Sequence, residues 1–227
     1  QDGTRWRLTL APQRGVGSTI DGYSIVQEAS VSVPLTDLQT RFIAGQIPDW
    51  SGYEYLQPTL NKLITHNLLF DTMAPSAYTG AVLDITSGKW WVRGGLANVN
   101  TARNTSGNKQ PSLIYRVDYS KGEFSGFGFS GVHGKIANFA ADGTYFGDTG
   151  EVDPITGDPI LGEVGFASAG KNTMANLFEV DAYFIRGDWT VLGQVSYGQQ
   201  KKAAISADPV TGELRDSRWY GASVLAA

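Results

Sequence analysis

The sequence predicts an all-β fold, an antiparallel up-and-down transmembrane β-barrel of about ten strands, and two observations carry that prediction. One is period-two alternation, in which apolar side chains occupy one face of a strand and polar ones the other. The second is the rhythm of the connections. Four tight turns (Thr36-Asp37, Ser87-Gly88-Lys89, Ser120-Lys121-Gly122-Glu123 and Arg186-Gly187-Asp188) alternate with four longer segments. The longer ones are DWSGYEYLQPTLNKLIT, TARNTSGNKQ, the run from Ala140 to Asn172, and KKAAISADPVTGELRDS. Short connections on one rim and long ones on the other are the layout of a bacterial outer-membrane barrel, with lipid outside and water inside.

Taken in chain order, the strands repeat one pattern. Trp6, Leu8 and Leu10 oppose Arg5, Arg7 and Thr9. Leu113, Tyr115, Val117 and Tyr119 oppose Ile114, Arg116 and Asp118, and after the next turn Phe127 and Phe129 alternate with Gly126, Gly128 and Ser130. Phe178, Val180, Ala182 and Phe184 oppose Glu179 and Asp181, while Trp189, Val191, Val195 and Tyr197 oppose Thr190, Gln194 and Ser196. One face of each strand reads as greasy and the other as polar. Trp90, Trp189 and Tyr119 sit beside tight turns, where one aromatic girdle of a membrane barrel belongs, and Trp219 and Tyr197 fall where the other does. Amphipathic strands also build soluble β-sandwiches, so a soluble binding module is an alternative, and the loop rhythm favours the meander.

Composition bounds the function. At 227 residues a single β domain spanning 1–227 is expected, since all-β barrels run to this length as one unit. Mean hydropathy is −0.18, and no run approaches the roughly 18 apolar residues of a membrane helix. Barrel strands show lipid only alternate side chains, so this average does not argue against a membrane. The net charge of −4 gives no reason to expect nucleic acid, and a chain without cysteine has neither disulfides nor thiolate metal sites. The chain opens on Gln1 and ends at Ala227 within an apparent strand, so the expectation is a segment of a longer barrel.

The stretches EASVSVPLTDLQTRFIAGQIPDWSGYEY, RVDYSKGEFSGFGFSG and FEVDAYFIRGDWTVLGQVSYG, with the Pro-x-x-x-Thr-Gly step at Pro75–Gly80, carry a family resemblance. The chain resembles porin-like outer-membrane β-barrels of Gram-negative bacteria. It is similar to a β-proteobacterial group of predicted barrels of unassigned function, from about Thr4 to Ala227. Members have further strands and end on an aromatic residue, where this chain ends on Ala227. The resemblance implies the fold and an outer-membrane location, and by analogy passive transport.

Candidate site residues follow from the polar faces. Arg5, Arg7, Arg41, Arg93 and Arg116, with Glu28, Asp84, Asp118, Glu179 and Asp181, are expected to line the lumen. The basic residues lie on early and middle strands and the pair Glu179/Asp181 later, so opposed charge patches across a pore are one arrangement; bracing of the wall by cross-strand pairs is the other. The long segment from Pro48 to Asn67 is the candidate for an inward loop, with Asp49, Tyr53, Glu54, Tyr55 and Lys62 at a constriction; an outward-packed loop is the alternative. Glu151, Asp153 and Asp158 lack EF-hand spacing, and the Asp-Pro-x-Thr-Gly pieces at Asp153 and Asp208 read as surface turns. Arg186-Gly187-Asp188 reads as a hairpin turn rather than an adhesion motif. His66 and His133, the only histidines, offer no zinc site, and no Ser/His/Asp set has motif spacing.

The leading expectation is therefore a non-enzymatic channel in the bacterial outer membrane that passes small hydrophilic solutes or ions, with no cofactor or metal. Its partners are the lipid bilayer, lipopolysaccharide and those solutes; a homotrimer is left open. The rival with the same fold is a structural or ligand-binding barrel without an open pore. The face assignment is directly testable, because a one-residue slip inverts every side chain. Spin labels at Val117 and Asp118 are expected to differ, the first reached by lipid-soluble oxygen and the second by a water-soluble quencher. Equal water access at both would contradict the barrel.

Overall fold

Residues 3–10, 26–54, 61, 62, 67, 69, 75, 77–100, 110–138, 144–165, 172–204 and 213–227 are described by the computed structural model. Twelve strands follow one another: β1 (Arg5–Leu10), β2 (Val26–Pro34), β3 (Thr40–Pro48), β4 (Ala77–Ser87), β5 (Trp90–Asn100), β6 (Ser112–Gly122), β7 (Ser125–Ala137), β8 (Thr144–Val152), β9 (Pro159–Gly165), β10 (Asn172–Arg186), β11 (Trp189–Gln200) and β12 (Ser217–Ala226). Ten of them form one antiparallel sheet in the order β1-β2-β3-β4-β5-β6-β7-β10-β11-β12, and β8 pairs only with β9. The sheet is a meander without a Greek-key crossover. The β8–β9 hairpin belongs to the long connection between β7 and β10.

The tight turns behave as their residues dictate. Asp37 accepts the amides of Gln39 and Thr40 at 2.9 and 2.6 Å, closing the β2–β3 turn as an Asx turn. Ser87 pairs with Trp90 and Arg186 with Trp189, leaving Gly88-Lys89 and Gly187-Asp188 as two-residue loops. The Arg-Gly-Asp tripeptide is thus a hairpin turn. At the tip of β8–β9, Asp153 accepts the amides of Ile155 and Thr156, so its carboxylate serves the turn. The Asp208 turn and His66 lie outside the described residues.

The alternation sorts cleanly onto two faces. Leu113, Phe178, Val180, Phe184 and Val195 are exposed, while Arg116, Glu179, Asp181 and Gln194 on the same strands are buried. The convex face carries exposed apolar side chains from Trp6 on β1, 81 % exposed, to Val224 on β12, with polar His133, Lys135 and Asn176 toward the long-loop rim. Near the tight turns Trp90, Tyr119 and Phe127 form an outward aromatic cluster, with Trp90 and Tyr119 centroids 4.8 Å apart. Toward the other rim the outward aromatics are Tyr197 and Tyr220. Trp219 departs from its expected place in that girdle. It shares its parity with Ser223, and its indole covers Gly198 on the concave side.

The concave face divides by height, which the simple greasy-and-polar scheme misses. Near the long-loop rim it is apolar and sealed: Ile47, Tyr78, Val82, Ala97, Val99, Ile114, Val132 and Leu177 form one buried cluster with Trp50. Nearer the tight turns it is polar, with Arg41, Asp84, Arg93, Arg116, Glu179, Asp181 and Gln194 running across the strands. Trp50, just after β3, packs into this apolar patch. Truncating Ile114, fully buried, to alanine is therefore expected to cost about 2–5 kcal/mol, as for a core residue. Denaturant unfolding in detergent checks this; a negligible loss would show that Ile114 faces water.

Candidate functional site

Residues 48–54 leave β3 and turn inward as a strap across the concave face. Trp50, Ser51 and Glu54 are buried there. Gly52 makes the seat possible: its φ is +70°, and a Cβ would stand 2.5 Å from the Gln194 side chain on β11. Tyr53 reaches further, its hydroxyl 3.3 Å from Ser223 Oγ on β12. Tyr78 on β4 donates to Asp49, and the Trp50 and Tyr78 rings pack at 5.0 Å. One short segment thus touches β4 on one side and β11 and β12 on the other, which requires a strongly curled sheet.

Arg116 on β6 holds the strap. Its Nη1 donates to the carbonyls of Trp50 and Gly52 at 2.8 and 3.0 Å. Its other donors go to Asp118 on its own strand and to Asp181 on β10, at 2.7 and 3.0 Å from Nη2. Reaching Asp181 means crossing β7, and Gly128 opens the way, since a Cβ there would lie 2.5 Å from Arg116 Nη2. A second clamp stands beside the first. Arg93 bonds Asp84 at 2.7 Å, lies 3.9 Å above the Trp91 ring and 5.5 Å from that of Trp50, and Trp91 Nε1 donates to the same carboxylate. These cation–π contacts and charge-assisted bonds hold a guanidinium away from bulk water.

Arg93 and Arg116 are therefore each matched by neighbouring carboxylates, a bracing of the wall rather than a basic patch facing an acidic one. Arg7 approaches Glu28 at 3.6 Å, and Arg41 bonds Ser32 Oγ at 2.7 Å and the Gly3 carbonyl. Arg5 is exposed on the edge strand. The expected constriction set divides three ways. Asp49, Tyr53 and Glu54 lie in the strap, with Glu54 accepting the Asn67 amide at 2.9 Å; Lys62 is exposed at the margin of the cavity; Tyr55 lies outside the described residues. Below the strap is a cavity of about 880 Å³. Arg7 and Thr9 of β1 and Leu225 of β12 line it together with Arg93, Arg116 and Asp181, so the two edge strands approach the same space although they are not hydrogen-bonded to each other.

Beside the strap, Glu179 on β10 is buried to 1 % exposure and accepts from Ser196 and Gln194 at 2.7 and 3.0 Å, all on Oε1. Its Oε2 and the facing Ser130 Oγ have no hydrogen-bond partner among the described residues. Ser51 bonds Asp49 and also faces Glu179. Burial, and then the Glu179 carboxylate, push the Asp49 carboxyl up to about 7, against the pull of its Ser51 and Tyr78 hydrogen bonds. Sequence reading missed Trp50, Ser51, Tyr78, Gly128 and Ser130 as members of this site. Only strand parity, which puts Tyr78, Gly128 and Ser130 on the polar face, could have marked them.

A model of a family described as a protein of unknown function, DUF3138, matches residues 4–227, and the chain belongs to that family. No curated protein and no solved structure matches it.

Replacing Arg116 by glutamine strands two carboxylates and two strap carbonyls, and a loss of about 3–5 kcal/mol in unfolding free energy is expected. Gly128→Val, which leaves every charge in place but blocks the guanidinium's path, is expected to destabilise in the same direction. If Gly128→Val leaves stability unchanged, Arg116 does not cross β7 as described.

Proposed function

We propose that this chain forms the wall of a bacterial outer-membrane barrel channel, through which small hydrophilic solutes or ions diffuse, with the strap at residues 48–54 as its constriction. The observation that carries the reading is the strap itself, seated on buried charges inside a curled sheet whose outer face is largely apolar. An exposed apolar surface of that extent is unstable in water and at home in lipid. The dimensions agree. An eleven-residue strand such as β4, β5 or β6, rising about 3.3 Å per residue and tilted by about 40°, climbs roughly 25 Å, the height of the apolar band of such barrels. Neighbouring lipid and lipopolysaccharide would contact Leu113, Val180 and Val195. Passage through a polar, charge-paired cavity needs no covalent step, because the lining replaces part of the solute's hydration.

One observation favours a second reading, a barrel without an open pore. The buried apolar cluster of Ile47, Val82, Val99, Ile114, Val132 and Leu177 occupies the long-loop half of the interior, where a wide pore would carry water. Single-channel recording of the full-length protein in planar bilayers separates the two. Discrete conductance steps, enlarged in Arg116→Gln as its strap loosens, are expected for the channel. Silence from protein shown to be folded and inserted would overturn the channel and leave the plugged barrel.

A further inference from the structure

Among the described residues, two carboxyls flank the strap without a cation of their own, Glu179 buried and Asp49 half-buried at the edge of the cavity. Tyr78 donates to one oxygen of Asp49 and Ser51 Oγ contacts the other. Glu179 receives Ser196 and Gln194 on Oε1 and leaves Oε2 bare. Among the described residues, the charged and titratable groups packed around Asp49 have other partners. Arg93 on β5 serves Asp84, Arg116 on β6 serves Asp118, Asp181 and the strap carbonyls, and Glu54 of the strap takes the Asn67 amide. Asp181 on β10 is matched to Arg116, Tyr78 on β4 is neutral, and β11 and β12 offer only uncharged Gln194, Ser196 and Ser223 at this place. The Ser51 hydroxyl has a single hydrogen and two carboxyls to serve. It satisfies both only if Asp49 brings a hydrogen of its own: Asp49 O–H then donates to Ser51 Oγ, and Ser51 O–H turns toward Glu179.

We infer that Asp49 and Glu179 share one proton through Ser51, and that this proton latches the strap onto the concave face. With the proton present the pair carries one negative charge, spread over the donors of Ser51, Ser196, Gln194 and Tyr78. Without it two carboxylates repel each other, Glu179 being shut away from water, and the relief available is movement of the strap, since Glu179 is fixed in a strand while Asp49 is not. The sign follows from the raised Asp49 value, near 7 when seated against an ordinary value of 3.8. The latch is complete at acid pH, weakens about tenfold per pH unit between about pH 4 and pH 7 as a free Asp49 would ionise and the seated one would not, and changes no further above that.

The inference rests on the seating of the strap and not on transport, so it is tested without a conductance measurement. The chain has no cysteine, and a single spin label at Ser223→Cys in the full-length protein in bilayers reports whether Tyr53 lies against it. The mobile fraction of the label is expected to rise with pH through that window and to level above about pH 7. Asp49→Asn, which keeps a neutral group of the same size in place, is expected to abolish the pH dependence. Glu179→Gln removes the like charge and is expected to move the upper edge of the window to lower pH. A label whose mobility is the same at every pH, or a profile retained in Asp49→Asn, would overturn the latch while leaving the channel reading standing; silent bilayers with an intact pH profile would do the reverse.

Discussion

Arg116 is the residue on which the interior depends. A guanidinium 7 % exposed is tolerable only when every donor is used, and this one meets two carboxylates and two main-chain carbonyls. Those partners come from three separate stretches of chain: its own strand, β10 and the strap. The strap cannot form sheet hydrogen bonds in the middle of the concave face, so its carbonyls need a donor from the wall. Arg116 supplies it, Asp118 and Asp181 fix its orientation, and the absence of a side chain at Gly128 lets it span β7. Removing any part leaves buried polar groups facing one another unpaired.

From that pin the interior acquires its two levels. Held down at the Trp50 and Gly52 carbonyls, the strap seats Trp50 in the buried cluster around Ile114, to which β4, β5, β6, β7 and β10 also contribute. Below the pin the wall stays polar and encloses a cavity whose described lining carries cationic and acidic side chains in equal number. Such a lining presents no net field of one sign. Any solute selectivity would come from the shape left by Trp50, Tyr53 and Trp91 and from where single charges stand, more than from a bulk preference for anions or cations.

Much of the fold was legible because strand parity is a local property. The faces of β6, β10 and β11 follow from alternation alone, and the tight turns mark their own ends through Asp37, Gly88 and Gly187. Parity does not report height along a strand, so the sequence did not reveal that Ile114 and Arg116, neighbours on one face, would meet an apolar seal and a charged clamp. Nor did it place Trp219, an aromatic at the girdle's height but of the inner parity. The strap's acids were recognised as constriction candidates from a long, aromatic segment. Their partners were not, because Arg116 stands 66 residues from Trp50, and Ser223 stands 170 from Tyr53. Pairings over such separations are set by the curl of the finished sheet.

The central claim is that residues 48–54 cross the concave face and reach the last strand, and thiol cross-linking tests it most directly. In a chain free of cysteine, Tyr53→Cys with Ser223→Cys places two thiols about a tyrosine side chain apart. A short bifunctional thiol reagent is expected to join them in the folded, full-length protein, as a shift in denaturing gel mobility. Tyr53→Cys with Val224→Cys, whose second thiol points outward, is expected not to join. Equal cross-linking of both pairs, or of neither, would show that the strap does not lie where Arg116 holds it.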